Sequence, residues 1–156
     1  MFGGSNYDYQ LGYIQEPTNN LIPEITVPTG GFYIPKDTPF VLTGSAEGSV
    51  NDNLTYSWEQ NDASDYGFSP PEFPPDTGPL FCSVDGKSNG NVRFFPYMES
   101  LLANNYATGN IEKLPFGTRE INMRLLVRDN DLYSGALNYK NVRFNVDGNA
   151  GPFRVT

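Results

Sequence analysis

The most regular patterning in the chain lies in REINMRLLVRDN (119–130) and NYKNVRFNV (138–146). In each, apolar residues alternate with polar ones, and the apolar sets are Ile121, Met123, Leu125 and Val127, then Val142, Phe144 and Val146. A period of two is typical of strands with one buried face. Between them, DNDLYSGA (129–136) supplies the Asp, Asn and Gly that a tight connection requires. The sequence therefore predicts an antiparallel hairpin.

Shorter segments upstream show the same alternation. They are PEITVP (23–28), TPFVLTGSA (38–46), LTYSWEQ (54–60) and NVRFF (91–95). The second places Phe40 and Leu42 on one face before a turn at Gly44, and the fourth places Val92 and Phe94 together. Leu54, Tyr56 and Trp58 share a face of the third, which favours a sandwich with the indole between two sheets.

Two stretches break this pattern. Residues 61–79 hold five prolines, which exclude a central strand and predict a long loop. Residues 97–105 hold the one plausible helix, about two turns long, with Met98, Leu101 and Leu102 at helical spacing. Residues 1–22 lack a period and are interpreted as an arm or linker, so that 23–156 form one domain. The prediction is an all-β, immunoglobulin-like (PKD-like) antiparallel sandwich with one short helix and a long Pro-rich loop.

Composition excludes several classes of partner. The chain has 156 residues and a net charge of −8, with only ten Lys and Arg, and these are scattered. Nucleic-acid binding needs clustered cations, so we expect none. No apolar run is long enough to span a membrane. MFGGSNYDYQ (1–10) lacks the features of a signal peptide, so a secretion signal is expected to lie outside this sequence.

The absence of histidine removes most catalytic chemistry. His-Glu-x-x-His zinc sites, Ser-His-Asp triads and Cys-His pairs all require it. Cys82, the single cysteine, is interpreted as a small buried apolar residue. No phosphate-binding Gly-rich loop is present. We therefore predict no catalytic and no cofactor-binding residues.

A carboxylate-based hydrolase is the remaining enzymatic hypothesis. Its acids would come from the Pro-rich loop and its border, in a cleft lined by Trp58 and Phe68: Asp62, Asp65, Glu72 and Asp76. Because acids in an exposed loop are usually just solvated, we do not favour it.

Several segments together resemble a known family. GGFYIPKDTPFVLTGSAEGSVNDNLTYSWEQND (30–62), VRFFP (92–96), LP (114–115), the 119–130 strand and NYKNVRFNVDGNAGPFRVT (138–156) are similar, in collinear order, to a module of Bacteroidetes reprolysin-like zinc metalloproteases. The resemblance implies a PKD-like or immunoglobulin-like sandwich, C-terminal to the peptidase domain of a secreted or cell-surface protein. The partners it implies are neighbouring domains of the parent chain.

Calcium is the one metal that the resemblance brings into question. Family members often carry an Asp-x-Asp-Gly-Asp turn, whose closely spaced carboxylates suit calcium. Here the turn at 48–52 keeps only Asp52, with Glu47 just upstream, so binding should be greatly weakened or lost. Asp129 and Asp131 are interpreted as turn-shaping residues. The alternative is a weak calcium site formed from Glu47, Asp52, Asp129 and Asp131.

Loop aromatics leave the partner open. Tyr66, Phe68 and Phe73 either pack onto the sandwich, as we expect also for Tyr7, Tyr9 and Tyr13, or form an exposed patch for a protein or glycan ligand. Two hypotheses follow. The chain is a non-catalytic structural or interaction module, which we favour, or a carbohydrate-binding or adhesive module.

Overall fold

A computed structural model of the chain describes residues 20–48, 53–63, 78–102, 112–132 and 134–153. Within these ranges, eight strands and one short helix follow in the order β1 (Glu24–Thr26), β2 (Tyr33–Pro35), β3 (Phe40–Thr43), β4 (Ser45–Glu47), β5 (Leu54–Gln60), β6 (Val92–Phe95), α1 (Met98–Leu102), β7 (Arg119–Asp129) and β8 (Leu137–Asp147). The predicted all-β class is confirmed. No helix in the described ranges is long and apolar enough to cross a membrane.

The larger sheet has the order β2-β8-β7-β5. β7 and β8 form the predicted antiparallel hairpin, with Arg119 opposite Val146 and Arg128 opposite Leu137. β5 pairs antiparallel with the other edge of β7. The three-residue β2, which the alternation did not predict, pairs parallel with β8. Sequence periodicity places the two long strands correctly because every second residue is buried along the whole of β7 and over 142–146 of β8.

Two smaller antiparallel sheets, β1-β4 and β3-β6, cover the inner face of the larger one. β3 and β4 are consecutive and are separated only by Gly44. A Cβ on Gly44 would lie 2.3 Å from the Leu125 side chain, so this close approach requires glycine. The Phe40 and Phe144 rings meet edge to face at 5.4 Å across the two layers.

The core between the layers is continuous and apolar. Trp58, predicted to lie between sheets, is fully buried, and its indole N–H donates to the Asn91 carbonyl at 3.1 Å. Its companions in the core include Ile25, Leu42, Phe95, Ile121, Met123, Leu125, Val127, Val142, Phe144 and Val146. The inward faces predicted for β3, β5, β7 and β8 are therefore confirmed.

β6 presents the opposite face from the one that apolar patterning favours. Val92 and Phe94 do share a face, but that face is exposed, while Arg93 and Phe95 are buried. Phe95 stacks on Phe40 with ring centroids 5.0 Å apart. The strand can turn Arg93 inward because Glu112, far along the chain, neutralises it there.

The predicted helix is present as α1, which ends at Leu102 within the described residues. Residues 61–63 and 78–79, at the two borders of the Pro-rich segment, lie outside strands, as predicted. The rest of that segment lies outside the described residues.

The chain enters and leaves the sandwich at opposite ends of β7. At the Asp129 end, the Asn20 amide donates to the Asp129 carboxylate and to the Ser134 carbonyl at 2.8 Å. At the Arg119 end, Gly148 N–H donates to the Thr118 hydroxyl at 2.9 Å, and Phe153 N–H donates to the Thr38 hydroxyl at 3.0 Å. With β7 eleven residues long, the two ends are about 34 Å apart at the rise of an antiparallel strand.

Candidate functional site

A buried arginine forms the centre of the most unusual polar cluster in the fold. Arg93 is 7 % exposed. Its guanidinium donates to the Trp58 carbonyl at 2.5 Å, to the Cys82 carbonyl at 2.8 Å and to the Glu112 carboxylate. A buried charge is costly unless it is paired and hydrogen-bonded, and these bonds meet that requirement for two of its three nitrogens. Arg93 Nε is buried and has no hydrogen-bond partner within the described residues.

Two aromatic rings flank the same guanidinium. Its central carbon lies 4.7 Å from the centroid of Phe95 and 4.8 Å from that of Tyr97. The negative ring faces stabilise the cation in a region from which water is largely excluded. Arg93 is therefore held by both charge and ring contacts.

Glu112 completes the cluster from a distant segment. It is 3 % exposed and accepts hydrogen bonds from the backbone N–H groups of Cys82, at 3.1 Å, and Tyr97, at 3.0 Å. Burial raises the pKa of its carboxyl above the ordinary value, while Arg93 acts in the opposite direction. Burial also raises the pKa of the Cys82 thiol and of the Tyr97 hydroxyl. One ion pair thus connects β6, the segment around Cys82 and the segment around residue 112.

A second cluster fixes the border of the Pro-rich segment. Arg119 donates to the Gly78 carbonyl at 2.5 Å and lies 3.7 Å from the Asp62 carboxylate. Asp62 also accepts from Asn122, from its backbone N–H at 3.2 Å and from its side-chain amide at 2.7 Å. The carboxylate oxygens of Asp62, a candidate hydrolase acid, are therefore occupied by groups of β5 and β7. Asp65, Glu72, Asp76 and Phe68 lie outside the described residues.

A cavity of about 550 Å³ opens beside the Arg93 cluster. It lies between β5, the segment 83–90, β6 and the start of α1. Trp58 and Arg93 lie at its buried side. The other lining residues are Tyr56, Ser83, Val84, Asp85, Lys87, Asn89, Gly90, Val92, Phe94, Tyr97, Met98 and Glu99.

Tight backbone contacts shape one wall of this cavity. The segment 83–90 is attached to β5 by two reciprocal hydrogen bonds between Tyr56 and Lys87, of 3.0 and 3.1 Å. A Cβ on Gly90 would lie 2.3 Å from the Tyr56 carbonyl oxygen, so the segment approaches β5 this closely only with glycine there. Backbone hydrogen bonds between β5 and the segment 83–90 therefore hold this wall of the cavity in place.

The candidate calcium ligands do not form one group: Asp129 lies at the end of β7 and Asp131 just after it, whereas Glu47 lies in β4. Asp129 is buried, and its carboxylate accepts from the Asp131 backbone N–H at 3.0 Å, while Asp131 accepts from Ser134 N–H at 2.8 Å. This is the predicted turn-shaping role. Glu47 is at the end of β4, opposite Glu24, and Asp52 lies outside the described residues. In the ranges that the structure describes, no three His, Cys, Asp or Glu residues are grouped so as to hold a metal.

The predicted ligand aromatics Tyr66, Phe68 and Phe73, and the arm residues Tyr7, Tyr9 and Tyr13, also lie outside the described residues. They stay predictions. Cys82 was expected to be buried but is half-buried, because it lies in the segment beside Glu112 rather than on a core strand.

Arg124 lies on the solvent-facing side of β7. It donates to the Asn141 side chain at 3.0 Å and lies over the Tyr139 ring at 4.1 Å. An ion pair does occur nearby, between Arg143 and Glu120 at 3.3 Å, and both side chains are well exposed.

Sequence reasoning missed Arg93, Glu112 and Tyr97 as a cluster. The one local indication was an arginine between Val92 and Phe94 in an apolar run, a position where a charge needs a partner. Nothing local identifies Glu112 as that partner, since 19 residues separate the two.

Comparisons with known proteins give no relative from which a role could be transferred. No family model, no curated protein and no solved structure matches this chain.

Proposed function

We propose that the chain is a non-catalytic structural and interaction module of a larger secreted or cell-surface bacterial protein. The observation that carries this proposal is the path of the chain. Residues near Asn20 lie at one end of β7 and residues near Phe153 at the other. A module with this path separates whatever precedes it from whatever follows it by about the length of β7, roughly 34 Å. It therefore acts as a spacer between domains.

The strand arrangement supports an immunoglobulin-like, PKD-like sandwich. One layer combines β1, the consecutive β3 and β4, and β6, and the other has the order β2-β8-β7-β5. The first part of the chain thus contributes β1 to one layer and β2, parallel to the last strand, to the other. Two packed sheets whose strands pair mainly antiparallel are the arrangement expected of such sandwiches.

The use of the buried charges supports a non-catalytic role. Arg93 and Arg119 donate to the loop carbonyls of Cys82 and Gly78, Glu112 accepts from the Tyr97 N–H, and Asp62 accepts from the Asn122 N–H. Active sites are recognised by perturbed groups that face a cleft with capacity left for substrate. Glu112, the acid with a raised pKa, instead has three hydrogen-bond donors from the chain itself.

The resemblance to the module of reprolysin-like zinc metalloproteases supplies the proposed context. In that context the partners are neighbouring domains of the parent chain, and the peptidase site belongs to another domain. Because function resides in sites and not in folds, this context is a proposal that the parent sequence tests directly.

Small-angle X-ray scattering tests the spacer role. The chain is placed between two fluorescent reporter domains, and the distance between the reporters is compared with that in a fusion joined by a short flexible linker. We expect the reporters to stay apart by at least the length of the sandwich, with and without a calcium chelator. Adjacent reporters would contradict the proposal, as would hydrolysis of a peptide or glycoside substrate that disappears on substitution of one carboxylate.

A further inference from the structure

The cavity beside Arg93 has the size and position of a ligand site. At about 550 Å³ it falls within the range of small-molecule pockets. Its buried side is fixed by Trp58, which is fully buried, and by Arg93, held through its ion pair and backbone bonds. A site whose floor is immobilised in this way loses little entropy when it orders a ligand.

The outer polar side chains of this cavity are uncommitted. Asp85, Lys87, Asn89 and Glu99 are exposed. Within the described residues their side chains take part in none of the hydrogen bonds or ion pairs. The Arg93–Glu112 cluster immediately beside them has almost every polar atom paired. The contrast leaves one amide, one ammonium and two carboxylates available to donate to and accept from a ligand.

Apolar surface lies between these polar groups. Tyr97 is half-buried, and one face of its ring is covered by the Arg93 guanidinium. Met98 and Phe94, both partly exposed, lie on the same cavity. An aromatic face carries a partial negative charge, which attracts the weakly positive C–H groups of a saturated ring.

Charges of both signs line the cavity, so that an ion of either sign would meet a like charge there as well as an opposite one. Asp85 and Glu99 oppose an anion, while Lys87 opposes a cation and Arg93 already occupies a face of Tyr97. A neutral ligand with many hydroxyl groups uses the free donors and acceptors and rests its C–H faces on the apolar surface. We propose that this cavity binds a neutral saccharide, one or two rings of a glycan. The site goes beyond the spacer role, which does not depend on it.

Saturation-transfer NMR with neutral oligosaccharides of glucose, galactose, mannose, xylose and N-acetylglucosamine tests the proposal on the whole chain. Calorimetry of the sugars that give a signal then supplies dissociation constants. We expect saturable binding by at least one neutral sugar. Its amino-sugar and uronic-acid counterparts should bind more weakly, because each adds a charge that the cavity opposes.

Two variants locate the binding site. Asn89→Ala removes one neutral hydrogen-bonding group and should weaken binding by about fivefold, whereas Asp85→Ala removes a charged acceptor and should weaken it by about tenfold or more. Asn149→Ala is the matched control, since Asn149 is exposed in the turn after β8, away from the cavity. It should bind as the unaltered chain does. Trp58 fluorescence verifies that each variant is folded.

Three results would overturn the assignment. They are the lack of saturable binding by every neutral sugar at millimolar concentration, stronger binding of a charged counterpart, and equal effects of Asn89→Ala and Asn149→Ala. None of these alters the scattering distance between reporter domains, so failure of the saccharide site is distinguishable from failure of the spacer role.

Discussion

Replacement of Arg93 by methionine should destabilise the fold more than any change at an exposed ion pair. The substitution keeps the apolar stem but removes the guanidinium. The Trp58 and Cys82 carbonyls then lose a donor, and Glu112, 3 % exposed, is left as a buried carboxylate without its cation. Removing one partner of a buried pair costs about 3–5 kcal/mol of unfolding free energy.

The chain contains a matched control for this experiment. Arg143 and Glu120 form an ion pair at 3.3 Å, but their side chains are 68 % and 45 % exposed. Arg143→Met should therefore cost at most about 1 kcal/mol, because solvent already screens that pair. The two variants delete the same group and differ in the burial of its surroundings.

Urea unfolding followed by fluorescence of Trp58, the single tryptophan, measures both free energies. At about 2–4 °C per kcal/mol for a chain of this size, the Arg93 variant should melt roughly 6–20 °C below the unaltered protein. The double variant Arg93→Met/Glu112→Gln should recover part of the loss, since the uncompensated charge is then gone. Equal destabilisation by Arg93→Met and Arg143→Met would refute the reasoning, because it would mean that Arg93 is solvated.

Three further predictions follow from burial. The pKa of Glu112 is raised in the fold, so the folded state binds the proton of this carboxyl more tightly than the unfolded chain does. The stability that this proton contributes is present below the ordinary pKa of 4.5 and is lost as pH rises through the folded pKa. Glu112→Gln should remove this component from the pH dependence of urea unfolding, and an unchanged profile would contradict it. Leu125→Ala should cost about 2–5 kcal/mol in the same assay, whereas Leu137→Ala, at a residue 52 % exposed, should stay within about 0.5 kcal/mol. Because the pKa of the Cys82 thiol is raised, iodoacetamide at pH 7 should alkylate it more slowly in the native protein than in urea, as followed by mass spectrometry; equal rates would exclude this.

The long strands were predictable because their information is local. β7 and β8 each bury every second residue over much of their length, so the alternation alone identifies the strands, the inward faces and the hairpin. Trp58, in an alternating strand, was likewise predicted to lie between the sheets, where it is fully buried. For these strands, the alternation of apolar and polar residues along the chain directly predicts which side chains are buried.

The short strands and the ion pairs were not predictable in this way. β2 has three residues and forms only by pairing with β8, more than a hundred positions later. β6 is apolar at three of four positions, and Val92 and Phe94, the pair that the alternation places on one face, are the exposed ones. Which face is buried depends on Glu112, and a contact between residues so far apart leaves no local pattern.

The candidate site shares this dependence on distant residues. Its cavity is formed where the edge of β5 is joined to 83–90 by the backbone pair of Tyr56 and Lys87, and where β6 turns its arginine inward. An apolar residue at position 93 would leave Glu112 without its cation. It would also remove the link between β6 and the segments around Cys82 and residue 112. The buried pair therefore stabilises the sandwich edge and, by holding the base of the cavity in place, leaves the outer polar groups free for a ligand. Stability and recognition are thus separated within one region: the charges that are buried brace the fold, and the charges that are exposed remain available.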